Sequence, residues 1–106
     1  MKLNNIYSDI PKHIPDEIFE EILRSDTVKI ERIISKGHGT PRGVWYDQTQ
    51  NEWVILLKGK AKLMFEGNAE LIEMNPGDYM YIPAHCKHRV EYTEPDKETL
   101  WLTILY

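Results

Sequence analysis

From Thr27 to Tyr106 the chain is a succession of short β-forming runs, each ended by residues that let a backbone reverse. The runs are "TVKIERIIS", "GVWYD", "EWVILLK", "KAKLMFE", "AELIEM", "DYMYIP", "KHRVEYT" and "TLWLTILY". Between them lie "KGHGTPRG", "QTQN", Gly59, "GN", "NPG" and "EPDKE", which supply Gly, Pro, Asn and Asp at the reversals. About eight strands with such tight connections leave no room for crossover helices, so the pattern predicts an all-β fold: a single antiparallel β-sandwich or jelly-roll barrel.

Ahead of this region the pattern differs. Residues 1–13 are polar and irregular, and "IPDEIFEEILRS" (14–25) predicts a short N-terminal helix. Pro15 suits a first helical turn, Asp16, Glu17, Glu20 and Glu21 favour the N-terminal half, and Arg24 the end. Ile18, Phe19, Ile22 and Leu23 recur at helical spacing and form one apolar stripe. The expected organisation is an arm and helix over 1–26 packed on a barrel over 27–106.

Period-2 alternation assigns the strand faces. In "KAKLMFE", Lys60, Lys62 and Glu66 face solvent, so Ala61, Leu63 and Phe65 face inward. In "HRVEYT", Arg89 and Glu91 face out, which turns His88, Val90 and Tyr92 in. "EWVILLK" sets Glu52, Val54 and Leu56 on one face and Trp53, Ile55 and Leu57 on the other. Both of those faces are apolar, so the strand should be covered on both sides. A histidine and a carboxylate, His88 and Glu52, then share the interior, and a buried carboxylate costs several kcal/mol unless it is paired, hydrogen-bonded or metal-bound.

Charge and cysteine content narrow the partners. The net charge of −4, with lysines and arginines dispersed along the chain, argues against a nucleic-acid surface. Cys86 is the single cysteine, so there is no intrachain disulfide and no cysteine-rich zinc site. No apolar leader is visible and the longest uninterrupted apolar run, "WVILL", is too short to cross a bilayer, so the expectation is a cytoplasmic protein without a membrane partner. Apolar residues on both faces of "WVILL" and "TLWLTILY" exceed what one small barrel needs, which predicts a homodimer.

From about residue 28 onward the chain resembles a small single-domain cupin. That family's first motif is G-x5-H-x-H-x4-E-x6-G, or the same with one residue fewer before the Glu. Gly39, Trp45, Asp47, Glu52 and Gly59 stand at the matching offsets. Its second motif is G-x5-P-x-G-x2-H-x3-N, and Gly77, Pro83, His85, His88 and Tyr92 stand there. The "NPGDYMYIPAH" run is similar to the phrase that leads into the family's last histidine.

The resemblance implies a divalent ion (Zn, Mn, Fe or Ni) in the barrel, acting on or binding a small molecule. Both first-motif histidines are absent, so only Glu52 and His88 keep their places. Asp47 is a substitute ligand or, equally, a turn-capping aspartate, and His85 is a ligand or a rim residue. The expected metal set is therefore Asp47, Glu52, His85 and His88. His38, among glycines, is placed to touch a substrate, and Trp45, Tyr46, Tyr79, Tyr81 and Tyr92 to line the mouth. Gln48 faces outward on a regular strand unless a bulge redirects it. A structural alternative pairs Glu52 with Arg32 or Arg42. A functional alternative is a metal-free isomerase or epimerase using His88 as acid/base and Glu52 as its partner, or a binding module with no catalysis.

Overall fold

In the computed structural model, which describes Met1–Tyr106, turn chemistry divides the chain into eight strands: β1 (Ile18–Arg24), β2 (Lys29–Ser35), β3 (Glu52–Lys58), β4 (Ala61–Phe65), β5 (Ile72–Met74), β6 (Tyr79–Ile82), β7 (His88–Thr93) and β8 (Thr99–Leu105). They form a five-stranded sheet ordered β1-β2-β8-β3-β6 and a three-stranded sheet ordered β5-β4-β7. Every pairing is antiparallel. The inner faces of the two sheets enclose a core of Val54, Leu56, Ala61, Leu63, Met74, Ile82 and Trp101. Glu52, Val54 and Leu56 are all buried on the inner face of β3, as alternation predicts, while Trp53, Ile55 and Leu57 opposite them are half-buried.

The predicted helix is not formed. Its residues make β1, an edge strand paired with β2. The cause lies in a bulge: Glu21 pairs with Glu31 and Leu23 with Ile30, so Ile22 is an extra residue. That extra residue turns a period-2 alternation into apolar spacings of three and four, which imitate a helix. A helix this short is marginal alone, whereas the open edge of β2 offers a row of unpaired backbone groups. Side chains on β1 add to the choice, because both Glu20 oxygens accept from Arg32 at 2.9 Å.

Arg32 also holds the N-terminal arm. It lies on the outer face of the five-stranded sheet, 6% exposed, and donates to the carbonyls of Ile6 (2.9 Å), Ser8 (2.6 Å) and Asp9 (3.4 Å). The arm then buries Ile14 against Ile34 and Leu100. Arg32 is thereby committed to the face opposite Glu52, and the expected Glu52–Arg32 pair does not form; no ion pair joins Glu52 to Arg42 either.

Two further bulges reset strand phase. Lys62 pairs with Tyr92 but Leu63 with Val90, which makes Glu91 the extra residue of β7. Tyr92 is consequently exposed, beneath the Lys62 ammonium at 5.3 Å from its ring, and Thr93 is buried in its stead. In β3 the extra residue is Leu57, between the Leu56↔Trp101 and Lys58↔Leu100 pairs. The turn that follows requires Gly59: its φ is +92°, and a Cβ there would lie 2.8 Å from the Cα of Thr99. No helix is long and apolar enough to cross a membrane.

Candidate functional site

"GVWYD" forms no extended strand. It makes a single bridge, in which the Tyr46 N–H donates to the His88 carbonyl at 2.7 Å and the His88 N–H to the Tyr46 carbonyl at 3.1 Å. This bridge sets which side chains enter the barrel. Tyr46 and Gln48 turn inward, while Trp45 and Asp47 turn away. Counted back from Glu52, Tyr46 and Gln48 are the positions required by the shorter form of the first cupin motif.

The interior cavity is about 90 Å³. Its polar lining comes from Glu17, Glu31, Tyr46, Gln48, Glu52, His88 and Thr103, and its walls include Phe19, Ile33, Val54, Leu63 and Trp101. His88 is 5% exposed and Glu52 8% exposed. The His88 Nδ1–H donates to the Cys86 carbonyl at 2.8 Å, and since a carbonyl only accepts, this fixes the tautomer. Nε2 therefore faces the cavity, 3.6 Å from Glu52 Oε1. That separation is too long for a hydrogen bond, and Glu52 Oε1 is buried with no donor at all. Thr103 Oγ1 is likewise buried and unpartnered.

Electrostatics follow from this packing. Burial pushes the His88 pKa down, but the Glu52 side chain, the Cys86 carbonyl and the Glu52 charge together outweigh it, so the pKa is raised above 6.5. At 3.6 Å we attribute the Glu52 contribution to ion pairing rather than to a direct hydrogen bond. Burial, with the charges of Glu17 and Glu52, raises the Tyr46 phenol against an opposing pull from Thr40. The Tyr46 and Phe65 rings flank His88 at 5.6 and 5.7 Å.

Glu17 is positioned by a chain of directed hydrogen bonds. Trp101 Nε1, a donor only, gives its proton to Ser35 Oγ at 3.1 Å, so the Ser35 hydroxyl proton goes to the Glu17 carboxylate.

Of the four expected metal ligands, the structure brings together only Glu52 and His88. Asp47 and His85 pair with each other at the surface, Oδ1 to Nδ1 at 3.0 Å, with side chains 41% and 66% exposed. His85 is held there by a left-handed backbone, φ +61°, and by its N–H donating to the Gln48 carbonyl. No group of three or more His, Cys, Asp or Glu side chains converges on a point where it could hold an ion. The residues present thus do not fit the four-ligand set implied by the resemblance.

Of the expected substrate contacts only Tyr46 lines the cavity, and His38, Trp45, Tyr79, Tyr81 and Tyr92 lie outside it. His38 accepts from the Lys36 N–H at Nδ1 and donates from Nε2 to the Pro15 carbonyl at 3.0 Å, which ties the arm to the barrel. Trp45 packs under the Arg89 guanidinium, 5.8 Å from its ring. Tyr81 is on the outer face of the five-stranded sheet, its hydroxyl bonded to Asn51. Sequence reasoning missed Glu17, Glu31 and Thr103 as cavity residues. Alternation along "KIERIIS" carries a signal for Glu31, opposite in phase to Arg32, but nothing local marks Glu17, whose placement depends on β1 being a strand.

Residues 33–105 match the family model described as Cupin domain. The chain belongs to the cupin family. Among solved structures, this cupin is similar to one described as a "putative mannose-6-phosphate isomerase" from Ralstonia eutropha JMP134, at 44% identity over 99% of this chain and 97% of the other, with a TM-score of 0.94. It is also similar to a cupin superfamily protein from Desulfitobacterium hafniense DCB-2, at 20% identity, 91% and 82% coverage and a TM-score of 0.73. An RmlC-like cupin with a double-stranded β-helix fold from Methanocaldococcus jannaschii matches at 16% identity, 92% and 85% coverage and a TM-score of 0.71, a likeness of fold alone. No curated protein matches this chain.

Proposed function

We infer that this cupin binds a small molecule in its barrel and acts on it by proton transfer, without a metal, through His88 with Glu52 as its partner. One observation carries the reading: a buried carboxylate oxygen without a donor faces the cavity beside an imidazole whose other nitrogen is already committed. The Cys86 carbonyl holds the ring in one orientation, which leaves Nε2 to take up and return a proton. Glu52 stabilises the imidazolium formed when it does. An isomerisation that moves a proton between adjacent atoms needs one such group, and the printed name of the Ralstonia neighbour is in keeping with that class of chemistry. The division of the expected ligands into an interior pair and a surface pair argues against the metal-dependent alternative.

The test is solvent exchange. Small aldoses, ketoses and other carbonyl compounds are incubated with the protein in D2O, and deuterium incorporation is read by NMR. The expected result is exchange into at least one substrate, about a hundredfold faster than with His88→Gln. Saturable binding without exchange would overturn the catalytic part and leave a binding module; neither would overturn the reading.

The same reading includes a homodimer. The outer face of β3, β6 and β8 presents half-buried Trp53, Ile55, Leu102 and Ile104 beside Tyr79 and Tyr81, 66% and 53% exposed. The arm packs on the neighbouring Ile34 and Leu100. Light scattering at micromolar concentration is expected to give twice 12.5 kDa, and a 12.5 kDa particle would remove the dimer.

A further inference from the structure

The lining of the cavity specifies a charge class. Three glutamates, Glu17, Glu31 and Glu52, line it, and no lysine or arginine does. The counter-charges paired with them are His88, 3.6 Å from Glu52, and Lys29, 3.6 Å from Glu31, and of these only His88 lines the cavity, which leaves the lining with an excess of negative charge. Glu17 is fixed as an acceptor by Ser35. Two buried residues, Glu52 and Thr103, present side-chain polar atoms with no partner in the protein. An acceptor left bare in a buried site is a cost that a ligand bearing N–H donors removes.

The remaining surface is apolar and aromatic. Phe19, Ile33, Val54 and Trp101 offer walls suited to a short hydrocarbon body and, at the rings, to a cation. A phosphoryl group finds no arginine or lysine in the lining and meets three carboxylates instead. A bare metal ion finds no three converging His, Cys, Asp or Glu side chains.

We propose that the ligand of this cavity is a small organic ammonium compound, a compact carbonyl compound that bears a protonated amine, and not a phosphorylated sugar. The assignment rests on the interior site read above and adds the chemical class it takes. Carboxylates accept from the ammonium head, Thr103 Oγ1 provides a further acceptor, and the apolar wall packs the carbon chain. The name carried by the Ralstonia neighbour therefore does not extend to this cavity as a description of its substrate.

The experiment compares four probes of graded charge, n-butylammonium, n-butanol, butyrate and mannose 6-phosphate, each titrated into the full chain at pH 7. The indole N–H of Trp101, a residue of the cavity wall, is followed by 1H–15N NMR. The expected order is butylammonium at least tenfold tighter than butanol, with butyrate and mannose 6-phosphate producing no shift. Glu31→Gln is expected to weaken butylammonium several-fold and leave butanol unchanged, a split that a general loss of structure would not produce. If butanol or either anion binds as tightly as butylammonium, the cationic assignment falls while the interior site stands. If none of the four moves the Trp101 signal, the ammonium assignment falls. A positive solvent-exchange result would then keep the proton-transfer reading alive independently.

Discussion

The ion pair between His88 and Glu52 can be tested by a double-mutant cycle run against pH. At 3.6 Å and an effective dielectric of about 20, the gross attraction of two unit charges is on the order of 4–5 kcal/mol. Both groups are buried, so desolvation opposes most of that, and the pair is too long for a hydrogen bond. A net coupling of about 1–3 kcal/mol is expected. Its sign with pH follows from the direction of the shift. Because the folded His88 pKa is raised above 6.5, its contribution is fully present below the unfolded value and is lost as pH rises through the folded one. Urea unfolding of wild type, Glu52→Gln, His88→Gln and the double variant is measured at pH 5.5, 7 and 9. The coupling should be largest at pH 5.5 and fall as pH rises towards 9. In Glu52→Gln, burial is the larger of the two influences left on His88, so acidification should now destabilise the protein. A coupling that is absent at pH 5.5, or unchanged from pH 5.5 to 9, would refute the ionic reading of the pair.

Gly59→Ala should destabilise by about 2–4 kcal/mol, since a positive φ is strained and the new Cβ meets the backbone of Thr99, lowering Tm by several degrees in a thermal scan. Arg32→Ala removes three carbonyl contacts and a two-oxygen pair with Glu20, so about 2–4 kcal/mol should be lost. Limited proteolysis followed by mass spectrometry should then show cleavage within residues 1–13 well before the barrel is cut. Plasma mass spectrometry of untagged protein purified without chelator should find Zn, Mn, Fe and Ni far below one per chain; near-stoichiometric metal lost in both Glu52→Ala and His88→Ala would restore the metal-dependent alternative.

What the linear order of residues determined is whatever depends on local chemistry repeated at period 2. Turn residues bounded the strands, alternation put Ala61, Leu63, Val54 and Leu56 in the core, and the same alternation carried Glu52 and His88 into the interior. Motif spacing added the cupin barrel, confirmed by the family match. Where the phase slipped, sequence reasoning lost its footing. An extra residue at Ile22 made a strand resemble a helix, and one at Glu91 turned Tyr92 out and Thr93 in. The bridge between Tyr46 and His88 chose Tyr46 and Gln48 over Trp45 and Asp47, which left Asp47 to pair with His85 at the surface. A bulge or a bridge is settled by the strand across from it, often dozens of residues away, and has no composition of its own to read. The metal-like spacing was therefore legible in the chain, while the side chains that share a cavity were selected only when the two sheets closed.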